Sequence, residues 1–197
     1  ANIWGMKSLG VTHLISVSAV GSMREGIAPG HIVFPDQFID RTKDRPSTFF
    51  GDGCVAHVQF GKPVCTQMRH TLAHIADDLG ITRHARGTYV CMEGPAFSTK
   101  AESKFYRECF NADVIGMTNI QEAKLAREAE ICFATMALST DYDCWHDGEE
   151  EVSVEAVMEV MSNNVNAAKR ILKKFAATFQ PEECSDQKAL QYAIMTQ

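Results

Sequence analysis

The chain has 197 residues, 45% of them hydrophobic, which suffices for one α/β domain with its own core. Its formal net charge of -6 offers no basic face to a phosphate backbone and argues against nucleic acid as a partner. No apolar stretch approaches the ~20 residues that span a bilayer, so no membrane association is expected, and no signal peptide is visible.

Residues 2–9 read as a helix ending at Gly10. A chain that opens inside an element, with no initiator Met, is expected to be a piece of a longer protein. Thr12 to Val20 is a β-rich strand, and Gly21-Ser22 turns the chain. Pro29-Gly30 is a second turn before a strand from His31 to Phe34. Residues 35–63 are rich in Gly, Pro, Asp and aromatics without a sustained period. They are expected to form a long irregular excursion of the functional or interfacial kind.

From Val64 to Leu79 the apolar positions Met68, Leu72, Ile75 and Leu79 keep helical spacing, and Gly80 caps the run. Gly87 to Met92 is a strand and 93–97 a turn. Ser98 or Thr99 caps a helix to about Phe110, with Glu102 near its third position. Val114 to Met117 is a short strand, and Asn119 is the expected cap of a helix from Gln121 to Glu130. The apolar run Ile131 to Leu138 marks a buried strand. After an acidic loop at 147–151, Ser153 caps a long helix through Phe175. Its apolar positions Val154, Val157, Met158, Met161 and Val165 follow the 3.6-residue period. The polar tail from Gln180 is expected to fray. Strands alternating with helices indicate one α/β domain over 1–197.

The cysteines are Cys54, Cys65, Cys91, Cys109, Cys132, Cys144 and Cys184. The number is odd, the spacing wide, and no CxxC pair occurs. The pattern argues against a disulfide framework or a zinc site and fits a reducing cytoplasm. Cys91 and Cys132 lie in apolar runs and read as core residues. Cys144 is placed to be a nucleophile or a packing residue. No His partner follows from its position, which favours packing.

Four motifs carry possible chemistry. Asp141 and Asp143 follow the apolar run, so both carboxylates emerge at a strand end, where α/β folds place ligands. Two acids held close push one pKa up, and a protonated acid donates to a leaving base. A strand-end turn with both side chains bonded to backbone is the alternative. Ser18 to Ser22 offers hydroxyls and backbone N–H groups to an anion, or is a plain strand-to-turn transition; it is not a P-loop. In Glu93 to Thr99, Gly-Pro sets a tight turn and Phe97 offers a face to a flat heterocycle, or is a core residue beside a helix cap. Thr118 precedes a helix start, which suits either an anion or simple capping.

Taken in order, MEGPAFSTKAES (92–103), ADVIGMTNIQEAKLA (112–126) and STDYDCW (139–145) resemble the methylthioadenosine phosphorylases. SAVGSMREGIAPG (18–30) and DQFIDRT (36–42) strengthen the likeness. These enzymes are a branch of the trimeric purine nucleoside phosphorylases, and the resemblance runs from Ala1 to roughly residue 175. It implies a central mixed sheet flanked by helices. It implies a cytoplasmic homotrimer that needs no metal or organic cofactor and uses inorganic phosphate as co-substrate. The reaction implied is phosphorolysis of 5'-methylthioadenosine to adenine and 5-methylthioribose 1-phosphate, a pentosyl transfer in purine and methionine salvage.

The site residues follow by position. Asp141 matches the group that protonates or hydrogen-bonds purine N7, and Asp143 the acceptor of the 6-amino group. An ionised carboxylate accepts only, so it suits an amino group and repels a carbonyl oxygen. Ser18 and Thr118 match phosphate ligands, and Ala19 a backbone or sugar contact. Met117 matches the residue under the ribose, Phe97 a wall of the purine site. Ser98 and Tyr142 are further substrate contacts of the matched motifs. Val154, Val157 and Met158 match the apolar pocket for the methylthio group, which would exclude a charged 5'-phosphate; core packing is the alternative. His57 matches a residue that reaches into the neighbouring subunit's site, and is otherwise a loop histidine.

Relatives that cleave 6-oxo nucleosides carry Asn at the Asp141 position and Glu at the Ser98 position, so Asp and Ser here point to a 6-aminopurine. Ser18 stands where many relatives have Thr, and His31 where the family usually has Asp. The family's opening strand, its Gly-rich turn with a phosphate-binding hydroxyl, and its phosphate-holding Arg-His pair find no match, so N-terminal strands are expected to be missing. Two alternatives follow: a phosphorylase of methylthioinosine or 6-oxo purines, and a non-catalytic fragment that only binds purine or assembles.

Overall fold

The structure, a computed structural model, describes residues 1–146 and 154–196, the stretch 154–157 by its backbone. The acidic loop at 147–151 and the expected cap Ser153 lie outside the described residues. One seven-stranded mixed sheet forms the centre. Its strands are β1 (His13–Ser22), β2 (Ile32–Val33), β3 (Gln37–Arg41), β4 (Arg83–His84), β5 (Thr88–Met92), β6 (Val114–Gly116) and β7 (Cys132–Tyr142), in the spatial order β3-β5-β6-β1-β7-β2-β4. Around it lie α1 (Asn2–Ser8), α2 (Thr66–Asp78), α3 (Lys100–Glu108), α4 (Ile120–Glu128) and α5 (Val154–Thr178).

β7 runs parallel to β1, and all but its last two residues are buried. Its two faces read separately. Cys132, Ala134, Met136 and Leu138 pack with Met68, Leu72 and Ala76 of α2 and Ile171 and Phe175 of α5. Phe133 packs on the other side with Ile3 of α1 and Ala123 and Ala126 of α4. Burial on both faces explains why the sequence there is continuously apolar instead of alternating. Leu72 is fully buried, and truncating such a side chain costs about 2–5 kcal/mol.

The helix over 64–79 ends as its glycine requires. Gly80 has φ +65, its N–H donates to Asp77 O, and Ile81 N–H donates to Ala76 O, the paired bonds of a Schellman cap. At α3 the cap is Thr99, with the reciprocal Thr99–Glu102 capping box.

Four expectations are corrected. Gly21-Ser22 does not turn the chain: both residues remain in β1, because β6 pairs with them on one side and β7 on the other. The excursion at 35–63 is not wholly irregular, since β3 forms within it by pairing along β5. A strand edge supplied from fifty residues away outweighs weak local periodicity. The acidic motif is also less of a turn than expected, because β7 continues through Asp141 to Tyr142. The tail does not fray: a 3-10 turn spans Ser185–Lys188, Ala193 is buried, and Ile194 pairs with Ala56.

Candidate active site

β1 and β6 bring together hydroxyls that are far apart in the chain. Their antiparallel register sets Gly21 opposite Ile115. Extending it by three residues places Ser18 opposite Thr118, and their hydroxyls share a 2.8 Å hydrogen bond. Tyr89 of β5 reaches the same point, with its Oη 3.3 Å from Ser18 Oγ. That ring is wholly buried, and burial pushes its phenol pKa up, so it remains a protonated donor.

The backbone after Thr118 is strained. Asn119 has φ +79 and ψ -48, and Ile120 N–H donates to Thr118 O at 3.1 Å, a γ-turn of the rare positive-φ kind. Such a conformation costs about 1–3 kcal/mol and persists only where its surroundings hold it. Thr135 Oγ1 donates to Asn119 Oδ1 at 3.0 Å, and Cys91 Sγ donates to Thr118 O at 3.0 Å. Burial raises the Cys91 thiol to about 11, so it keeps the proton it donates. Asn119 occupies the cap position of α4, yet its side chain makes no capping bond. The expected cap is instead a brace.

The acids are aimed by a bulge. β1 and β7 pair with constant offset to Val20 and Ser139, after which Gly21 pairs with Asp141. Thr140 is the extra residue, and its Oγ1 lies 2.6 Å from Asp141 Oδ1 and 3.3 Å from Val20 O. Without the bulge Asp141 would stand opposite Ser22. With it, Asp141 faces a residue that has no side chain: a Cβ on Gly21 would lie 3.4 Å from Asp141 Oδ2 and 3.5 Å from Asp143 Cβ. Asp143 is held separately. It accepts a hydrogen bond from the buried Ser103 Oγ of α3, and its N–H donates to Ser22 O at 3.0 Å.

These groups share one cavity of about 500 Å³. Ser18, Ala19, Phe97, Met117, Thr118, Asp141 and Asp143 all line it. Phe97 is 84% exposed, so it is no core residue and stands at the rim. Other expected site residues are placed elsewhere. Ser98 is buried behind Met92, with its Oγ 3.6 Å from Met92 Sδ, and does not line the cavity. Tyr142 lies between the two acids in sequence but off the cavity wall. Its Oη donates to Glu25 O at 3.1 Å and its ring stacks on His146 at 4.5 Å. Met158 is 64% exposed and does not line the cavity. The side chains of Val154 and Val157 lie outside the described residues. His57 is exposed on a different surface, beside Arg127 and Tyr192. Cys144 Sγ approaches Ser98 O at 3.3 Å, and burial followed by the charge of Asp143 pushes its thiol pKa up. That is the reverse of nucleophile activation.

Two supporting residues escape a reading of motifs. Tyr89 is one. Arg45 is the other, from the stretch that shows no period. Its guanidinium donates to Met117 O at 2.5 Å, Glu93 O at 2.5 Å and Gln121 Oε1 at 3.2 Å, and pairs with the Glu93 carboxylate at 3.1 Å. It therefore ties the 93–97 turn to Met117. An arginine alone in a loop carries no sequence signal of that kind; only its five fixed donors hint at a clamp.

The phosphorylase superfamily profile matches residues 1–177. The chain belongs to this superfamily. It is 59% identical to the S-methyl-5'-thioadenosine phosphorylase of Geobacter sulfurreducens over 198 aligned residues, covering all of this chain and 69% of that one. Against the same-named protein of Gloeobacter violaceus the identity is 57%, covering all of this chain and 68% of the relative. A crystal structure of methylthioadenosine phosphorylase from an antarctic soil metagenomic library superposes with a TM-score of 0.93 at 48% identity, over 99% of this chain and 69% of that one. The Schistosoma mansoni methylthioadenosine phosphorylase in complex with adenine superposes at 0.91 and 31% identity, over 99% and 77% of the two chains. The mixed sheet of this phosphorylase-superfamily chain is thus the nucleoside phosphorylase fold. Among its described residues, no helix is long and apolar enough to cross a membrane.

Proposed function

We propose that the chain carries out phosphorolysis of 5'-methylthioadenosine, releasing adenine and 5-methylthioribose 1-phosphate. One observation carries the reading: paired hydroxyls suited to an oxyanion and paired carboxylates suited to a purine share one cavity. The names of the relatives support the choice of nucleoside.

The chemistry assigns each group a role. Phosphate oxygen attacks C1' as the C1'–N9 bond breaks, and the bonding pair leaves with the purine. Negative charge develops on the base, and a hydrogen bond or proton at N7 stabilises it. Asp141 takes that position. Asp143, held by Ser103, accepts from the 6-amino group. Ser18 and Thr118 donate to phosphate, Ala19 lends backbone, Met117 lies under the ribose, and Phe97 closes over the base. Val154 and Val157 would meet the methylthio group, with Ser98 supporting the site from behind Met92. No metal or organic cofactor is required by these steps. We place the protein as a single domain in the cytoplasm, in purine and methionine salvage. We further propose a homotrimer in which His57 reaches a neighbouring site; its exposure away from its own cavity supports that placement.

Phosphate-dependent release of adenine from methylthioadenosine tests the reading, and its absence in the intact protein would overturn it. A clear preference for methylthioinosine would shift the assignment to 6-oxo purines. A second reading rests on a specific observation: among the described residues lining the cavity there is no Arg, Lys or His to hold phosphate. On that reading the chain as it stands binds purine without turnover. Calorimetry with adenine and with phosphate separates the two, since binding of adenine alone favours the second.

A further inference from the structure

At the far end of β7 from Asp141, three cysteines distant in sequence converge. Cys65 is the residue before α2, Cys132 opens β7, and Cys184 precedes the C-terminal 3-10 turn. Their sulfurs and a carboxylate oxygen of Asp186 all lie within 4.8 Å of one another. Nine residue steps along β7 separate Cys132 from Asp141, about 30 Å at the usual rise, so this cluster is remote from the cavity described above.

We propose that Cys65, Cys132, Cys184 and Asp186 form a binding site for a thiophilic divalent cation of the zinc class. Three thiolates and a carboxylate make a four-ligand set of the kind that closes a structural zinc site. The spacing fits. A tetrahedron with metal–sulfur bonds of about 2.3 Å has edges of about 3.8 Å, and Cys184 Sγ lies 3.8 Å from Cys65 Sγ. The backbone is already set, since Cys65 N–H donates to Phe133 O at 2.8 Å and ties the start of α2 to β7.

The surroundings suit an anionic ligand cluster. Cys65 sits at the N-terminus of the thirteen-residue α2, where the helix dipole favours negative charge. Arg127 pairs with Asp186 Oδ1 at 2.9 Å, both nearly buried, and its guanidinium also donates to Gln59 O and Lys62 O. The Arg127 contact fixes one carboxylate oxygen and orients the other. A cavity of about 230 Å³, whose wall includes Cys65, Cys184 and Asp186, gives an entry path. The cation would pin the C-terminal segment to the body of the fold. That segment in turn holds the His57 loop, through His57 N–H donating to Ala193 O at 2.8 Å and the Ala56–Ile194 bridge.

The test is titration of the reduced, chelator-stripped protein with cobalt(II). The expected result is one equivalent bound per chain, with thiolate-to-cobalt charge-transfer absorption in the near ultraviolet and the intense visible bands of four-coordinate cobalt. Zinc should displace the cobalt and slow proteolysis of the C-terminal segment. Cys184→Ser, checked for folding by circular dichroism, should weaken binding by at least ~10-fold, whereas Cys109→Ser, an exposed cysteine outside the cluster, should leave the spectrum unchanged. No thiolate charge-transfer band at excess cobalt, or an unaltered spectrum in Cys184→Ser, overturns the proposal. So does a Cys65–Cys184 disulfide in protein that, once reduced, still takes up no cobalt; the cluster would then belong to redox chemistry.

Discussion

Ser18 Oγ and Thr118 Oγ1 share a 2.8 Å hydrogen bond across one hundred residues of chain. The bond sets two donors side by side on the cavity wall, and the buried Tyr89 phenol backs them. Phosphate would accept from both hydroxyls, and whichever of the two now donates to the other would turn its hydrogen to the phosphate. Removing one leaves the oxyanion short of a donor. We expect Ser18→Ala and Thr118→Val each to raise the KM for phosphate by about 10-fold, with little change in the KM for nucleoside. Steady-state kinetics with phosphate varied checks this, and an unchanged phosphate KM removes the pair from that role.

Asp141 is expected to act on the leaving base. Asp141→Asn should lower turnover of methylthioadenosine by at least ~10-fold, through loss of a group able to protonate N7. Relative activity toward 6-oxo nucleosides should rise, because an amide can donate to a carbonyl oxygen where a carboxylate only accepts. Turnover of both substrate types equal to the parent would exclude the assignment.

Arg45 clamps two cavity walls without lining the cavity itself. Arg45→Ala should cost about 2 kcal/mol, the scale of lost charge-assisted hydrogen bonds. For a chain of this size that lowers Tm by about 2–4 °C per kcal/mol. The nucleoside KM should rise more than the phosphate KM, since Met117 and the 93–97 turn lie on the nucleoside side of the proposed site. A loss of stability with both KM values unchanged would leave Arg45 a purely structural clamp.

His84 sets an acid limit. His31 Nδ1 accepts from Ala28 N–H at 3.2 Å, so the hydrogen shared across the 3.1 Å contact with His84 Nε2 belongs to His84. Burial, then the neighbouring His31, lowers the His84 pKa in the fold. The unfolded chain therefore binds more protons as pH drops below about 6.5, and stability is lost on acidification through that value. His13, lowered by burial, adds in the same direction. We expect Tm to fall between about pH 7.5 and 5.5, and His84→Gln to flatten the slope. A Tm that holds or rises on acidification contradicts the argument. The same pair gives His31 a structural role at a position where an Asp was the expected residue.

Much of the fold was legible along the chain. α2, β5, α3 and β7 each announce themselves through period, cap residues or an unbroken apolar run, because those signals arise between neighbours. β3 and β4 were not legible, since their partner edges come from other parts of the chain. In the site, the order of the motifs named Ser18, Thr118, Asp141 and Asp143. It did not show that Thr140 is a bulge, that Asn119 is strained, or that Tyr142 turns away.

The cysteines mark the boundary most clearly. Read by spacing, Cys65, Cys132 and Cys184 argue against a zinc site, because the familiar ligand patterns are local. Folding places a helix start, a strand start and a C-terminal turn around one point. Short-range periodicity was enough for the class of fold, since it rests on side chains a few residues apart, and the order of the motifs named residues that line one cavity. Pairing register, the bulge and the thiol cluster depend on contacts across fifty to one hundred and twenty residues, and only the folded backbone brings such partners within bonding distance.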